Sequence, residues 1–592
     1  MFRLLFPCKT TMTRLQQLTM AVAVFTAFTC HGSAPADTIG VEGAAGVALL
    51  SHPFAQNDFS STLTINVGTK KLNFYGDATF SHTDADYAQL EESSRLNPAT
   101  VHVRIGDEED VNRRFDYRAG MVAGIAPRQA LALQAGGYSY FPTTCTATYK
   151  KFVGTDISEI PAFDINNIVS KQSNHSHFNN FAGAYSLSLD SVGGRTFSAR
   201  IDLYHLSGQR GVEAVLTNAN APLGKPLYTD TDRSNSGNLT ASAGFKAPAL
   251  GAIANFDAHF ASMFSERKST YILNDVVNES RQLERLYRGH ISGEYSLGIF
   301  MFKPLLAAEY INRTDNIEGS LHEDAFHLLP DIGVEFSHRS VNYALRAART
   351  IQRPSLARTD GLVRQENDMM TLTPNVRLHS STTDVFSAAA SLGKHTFMCS
   401  YTIDHSPFVT TYTIDTDGTA SSTFINFPRS TLLQASYAFS GKITRWWELN
   451  AKANVGWQHI RASVVKSIHW QRGIHITSTF DASKFGSFEI RYNYDSRHIE
   501  GNIIHGNNSS LDADWSKSFG KLNIVVGIRD IFDKTNDLLV FQTKEYFYLL
   551  DQKPMSRRLH LGITYNFSTS FKPALRRIAD ISQLELFDYQ RL

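Results

Sequence analysis

Few groupings in this chain have the residue types and spacing that chemistry requires. Asp404-His405-Ser406 brings together an acid, an imidazole and a hydroxyl, the set used in nucleophilic acyl transfer. A relay needs those groups to converge. Neighbours along a strand or turn point to different sides, so the three cannot serve one another. The 21 histidines are scattered, with no H-E-x-x-H and no paired metal spacing. No phosphate-cradling glycine loop appears. Cys145 and Cys399 are too far apart in sequence for a metal motif or a disulfide framework, and they read as two unpaired thiols. No catalytic, cofactor or metal site is expected, and the chain is not expected to be an enzyme. Glu335, Arg346, Glu489 and Arg491 fall on the polar side of alternating segments. They read most simply as residues facing water, although a substrate path would use the same residue types.

The elements that carry such residues are short and repetitive. In the stretch Ile332 to Leu356, Ile332, Val334 and Phe336 alternate with polar or small residues. Ser337-His338-Arg339-Ser340 makes a turn, and Val341, Tyr343, Leu345 and Ala347 resume the alternation. Period two on both sides of a tight turn predicts a β-hairpin with one oily face. The same unit recurs: Leu239–Phe245 with Ala252–Phe264, Val385–Leu392 with Thr396–Ile403, Leu432–Phe439 with Trp447–Trp457, and Leu511–Phe519 with Leu522–Ile531. The closing strand is Leu559, Leu561, Ile563, Tyr565 and Phe567.

The chain has 592 residues and a net charge of +1, so nothing suggests a nucleic-acid partner. No apolar run approaches the roughly 20 residues of a spanning helix. That leaves a barrel open, because its strands are only half apolar. Aromatics make up 11% of residues, which suits interfacial girdles. Arg3, Lys9 and Arg14, the apolar run Met20 to Thr29 and Ala34-Pro35-Ala36 read as a cleaved signal peptide over residues 1–36. Ala27-Phe28-Thr29 before Cys30 is a poor lipobox.

Connections alternate between short ones, mostly of two to six residues, and long ones, such as 142–177, 206–236 and 355–382. A polar stretch after Phe80 also runs to about Asn112. Short periplasmic turns and long external loops are the rhythm of an outer-membrane barrel. Both ends should lie in the periplasm, which requires an even strand number. Ile39 to Leu50 must then be the first strand, and Phe541 to Leu550 an external excursion. The count is 22: an all-β, transmembrane antiparallel β-barrel over 37–567. About 530 residues give about 24 per strand and connection, which accommodates spans of roughly 9–11 residues. Residues 568–592 form a periplasmic tail. In it Leu575, Ile578, Ile581, Leu584 and Phe587 recur every three residues, consistent with a short amphipathic helix docked at the periplasmic mouth or with a loose tail.

Several segments resemble the barrel domain of TonB-dependent receptors, and in particular the outer-membrane β-barrel family of Bacteroidetes. Arg349-Thr350-Ile351-Gln352-Arg353-Pro354-Ser355 resembles the family's R-x-x-x-R-P-S strand end. Asp530-Ile531-Phe532-Asp533 resembles its D/N-[IL]-F-[DN] signature, and Leu561 to Phe567 its closing strand. Thr423-Phe424-Ile425-Asn426 and Trp446-Trp447-Glu448-Leu449-Asn450 also fit. The G-N-P-x-L-x-P-E loop is reduced to Thr371-Leu372-Thr373-Pro374-Asn375. Neither a plug domain nor a TonB box is recognisable, so the resemblance implies a receptor barrel lacking its own plug. Its expected role is ligand uptake across the outer membrane. The ligand, unknown, would be met by external loops, with gating from loops or from a partner such as a separate plug or surface lipoprotein. The alternative is a non-transporting structural or assembly barrel that binds a partner protein. In both cases outer-membrane lipid surrounds the wall.

Overall fold

The computed structural model describes residues 40–568, apart from 52–56, 69–71, 97–98, 127, 155–165, 190–194, 217–225, 250–253, 318–321, 417–418 and 462–467. The expected signal peptide and the tail helix lie outside the described residues. Twenty-two antiparallel strands close into one barrel. No helix of the described residues is long and apolar enough to cross a membrane. The first strand, Gly40–Ser51, pairs on one side with Asn57–Gly68 and on the other with the last strand, Arg558–Ser568. Asp537–Gln542 and Tyr546–Pro554 form a hairpin outside the span, as the parity argument requires. The closing seam is tight. A Cβ on Gly43 would stand 2.1 Å from the Thr64 carbonyl oxygen and 2.6 Å from the Phe567 ring. Glycine is needed there so that the aromatic ring can cover the bare backbone.

The wall is oily outside and polar inside. One continuous register row runs Ile332, Ala347, Phe386, Tyr401, Leu433, Trp457 and Trp470 across seven neighbouring strands. Its members Ile332, Phe386 and Trp470 are at least half exposed, on a surface that meets lipid. The opposite parity carries Asp331, Glu335 and Arg346 into the lumen. Near the short turns, ring pairs Phe336–Tyr343 (4.8 Å), Phe397–Tyr437 (4.9 Å) and Trp447–Phe480 (6.0 Å) mark the periplasmic interface. Two of those turns have just two residues and place glycine at positive φ, Gly393 at 58° and Gly520 at 63°. That backbone matches the twist of the flanking strands.

The barrel is lopsided. The eight strands from Leu72–Leu96 to Val276–Leu297 run 20 to 28 residues. The twelve from Phe300–Asp315 to Arg558–Ser568 run 8 to 16. A span needs only about 9–11 residues, so the first group stands far above the lipid as a palisade. This corrects the expected loops. Much of 142–177 and 206–236, and most of the polar stretch after Phe80, continues as strand. Above the membrane both faces of the sheet are wet. The ladder persists while the apolar alternation that reveals it disappears.

Candidate functional site

The stretch 355–382 is irregular, as expected, and it defines the external mouth. It leaves the short strand Val341–Gln352, makes a 3-10 turn at Leu356–Arg358 and crosses toward the palisade. Its strand Met370–Thr373 pairs with Ala420–Asn426, which in turn pairs with Phe408–Ile414. This small sheet packs on Ile503, Phe541 and Tyr548 through Tyr412, Ile414 and Ala420. The Tyr412 and Tyr548 rings stack 4.5 Å apart. Tyr546–Pro554 is itself paired along Leu72–Leu96, so the loops of the short side are tied to the tall side as a lid.

Two ionic latches fasten the lid. Arg364 donates to both Asp360 carboxylate oxygens (2.9 and 2.6 Å) and to Asp232 on the palisade (2.6 Å). Burial opposes its charge, but the flanking carboxylates outweigh that and keep the guanidinium protonated. Farther along, Asn367 donates to Glu91 (3.2 Å), which also accepts from Arg104 (3.1 Å) and the Tyr548 hydroxyl (2.9 Å). Arg104 lies 3.4 Å from the Tyr149 ring centroid and 3.9 Å from Asp368. Glu91 stands 19 residues above the start of its strand, clear of the span, and burial pushes its carboxyl up against the pull of Arg104. Beside the first latch, the Gln365 amide donates to the Tyr271 hydroxyl (2.7 Å). Burial pushes the neighbouring Asp230 carboxyl, also on the palisade, up to about 6. Buried charges of this kind persist only when paired.

Below the lid the lumen wall is lined with opposed charges. A recess of about 620 Å³ is bordered by Lys246, Asp257, Lys303, Asp331, Glu335 and Arg346. Lys303 pairs with Glu335 (2.7 Å) and Arg346 with Asp331 (2.6 Å). Glu489 and Arg491 join a second lumen cluster with Asp514 and Arg529. The residues expected to face water thus do so, in two separate clusters. Asp404 and His405 diverge as strand geometry dictates: Asp404 accepts from Thr383 (2.8 Å), and His405 bonds Asp384 (3.0 Å) on the opposite face. Among the described residues no group of three or more metal-type ligands converges. Cys145 is half-buried and Cys399 is exposed on the lipid side. The latch residues Asp232, Asp360 and Arg364, with Glu91, Arg104 and Asp368, were not legible as a site. The one available signal is the polar density of Arg364-Gln365-Glu366-Asn367-Asp368 inside a loop.

The profile of the outer membrane protein beta-barrel family matches residues 306–565, the short-strand half together with the lid. No curated protein sequence matches the chain. Among solved structures, the siderophore receptor PirA from Pseudomonas aeruginosa superposes with a TM-score of 0.55 at 11% identity, over 90% of this chain and 81% of that one. The copper transporter OprC gives 0.63 at 9% identity, over 90% and 82%. The ferric-catecholate import receptor Fiu from K12 E. coli gives 0.58 at 10% identity, again over 90% and 82%. At such identities the likeness establishes the fold alone, a closed antiparallel outer-membrane β-barrel.

Proposed function

We propose that this barrel takes part in ligand uptake across the outer membrane, with the latched segment 353–380 as its external gate. The observation that supports this most directly is the pairing of a charge-lined lumen with a lid held by a few replaceable ionic contacts. A wall built only for support has no need of either. A ligand would meet the external loops first, and release of the Arg364 latch would open a way to the lumen charges. A separate plug or surface lipoprotein would supply periplasmic or external control. The chain would reach the membrane through its cleaved leader, and no catalytic step is assigned to it.

The test is liposome swelling with sugars and small peptides. Arg364→Ala removes the bonds to Asp360 and Asp232, and permeability should rise several-fold over the wild type, on the order of the population shift that 1–2 kcal/mol gives. If neither R364A nor deletion of 360–370 raises permeability in folded barrels, uptake is refuted, and the non-transporting assembly barrel takes its place.

A further inference from the structure

On the outer wall of the short-strand half, apolar side chains give way to cations toward the external edge. Arg349, His405, Arg429 and Arg461 share the lipid-facing parity of Leu345, Tyr401, Leu433 and Trp457. Each stands four residues nearer the external end of its own strand than that apolar partner. His405 and Arg429 are register partners, as are Arg429 and Arg461, so the cations form a row across adjacent strands. Asp384 accepts two bonds from Arg349 (2.6 and 2.7 Å) and one from His405 (3.0 Å), which fixes both groups in place. Arg429 and Arg461 are exposed, with no carboxylate partner among the described residues.

Beneath the Arg349–His405 end of the row, and beside the strands that carry Arg429 and Arg461, lies a groove of about 450 Å³. Small residues Ala347, Ala388 and Cys399 alternate there with bulky Leu345, Phe386 and Tyr401. A cationic row above an oily groove is the shape of a bound amphiphile, its chain below and its anion above. Guanidinium groups favour phosphate because their paired N–H donors fit its oxygens. Cations spread over strands about 4.8 Å apart suit a headgroup with more than one phosphate.

We propose that this face binds a phosphorylated glycolipid of the outer leaflet, a diphosphorylated acylated disaccharide of the lipid A class, with one acyl chain in the Ala347–Ala388–Cys399 groove and its phosphates on Arg349, Arg429 and Arg461. The site rests on the outer-membrane placement of the barrel and is independent of whether the lumen transports anything. Its consequence is a barrel anchored at a fixed height on its short side, below the lid.

The full chain, reconstituted in phosphatidylethanolamine nanodiscs doped with diphosphorylated lipid A, is re-extracted in mild detergent, and retained lipid is counted per barrel by mass spectrometry. Wild type should retain lipid A, and Arg429→Gln/Arg461→Gln should weaken retention by roughly thirty-fold, given the attraction of two surface cations. Ala388→Phe, which fills the groove without touching charge, should also weaken it. Lys268→Gln, an exposed cation high on the palisade, should leave it unchanged. Equal retention by folded R429Q/R461Q, or equal retention of dephosphorylated lipid A or phosphatidylglycerol by the wild type, overturns the assignment.

Discussion

Asp530 shows how a short signature acquires a physical role. It sits at the top of Leu522–Arg529 with φ at 40°, a left-handed turn residue. Its carboxylate accepts from the Lys534 and Thr535 amides (3.0 and 2.9 Å) and from the Ser556 hydroxyl, while its own amide donates to Asp512 (2.8 Å). The motif therefore acts as a turn lock. Asp530→Ala should cost about 1–3 kcal/mol, the penalty for buried donors left unpaired, read as a shift of the guanidinium unfolding midpoint in lipid vesicles. The strand-end motif divides in a similar way. Arg349 turns outward to Asp384, while Arg353 turns inward onto buried Glu309. Residue spelling revealed that these positions matter but not which face each serves, because that depends on where the strand stops.

The lid is the element whose behaviour depends most on its surroundings. Asp230 is buried beside Tyr271, close to the Gln365 and Glu366 segment, and its carboxyl titrates at about 6, well above the ordinary range. The docked state thus binds that proton more tightly than an undocked one. The Asp230 contribution to docking is fully present below about pH 4 and is lost as pH climbs through about 6. Hydrogen exchange of the 362–370 amides, corrected for intrinsic rate, should be faster at pH 7 than at pH 5, and Asp230→Asn should flatten the difference. The lid is also where reading the sequence reached its limit. Strands with one oily face, such as Val341–Gln352 and Ser381–Leu392, announced themselves by alternation. The palisade did not: Ser265-Glu266-Arg267-Lys268 looks like loop, yet it is ladder up to the Asn274–Asp275 turn. Nor could the latches be read, since Arg364 meets Asp232 only because the fold brings positions 132 apart into contact.

At the scale of the whole molecule, the inversion of oily and wet faces is directly testable on two neighbouring residues. Leu345→Arg places a charge against lipid and should destabilise the barrel by about 2–4 kcal/mol. Arg346→Ala removes a lumen charge already exposed to water and should cost about 1 kcal/mol or less. Refolding yield into vesicles compares the two, and a reversed order would place the oily rows inside. Alternation and parity sufficed for the strand number because each strand must cross one fixed thickness. The height of the palisade was invisible because water sets no such length. The seam between Gly40–Ser51 and Arg558–Ser568 has a kinetic corollary: Asp58 grips Arg558 across 500 sequence positions. The ring stays unfinished until the final segment has been exported. A chain halted in transit would carry an unsatisfied ladder rim, the kind that recruits neighbours into aggregates. Pairing of the first strand with the last is thus the step that removes the two remaining exposed ladder edges.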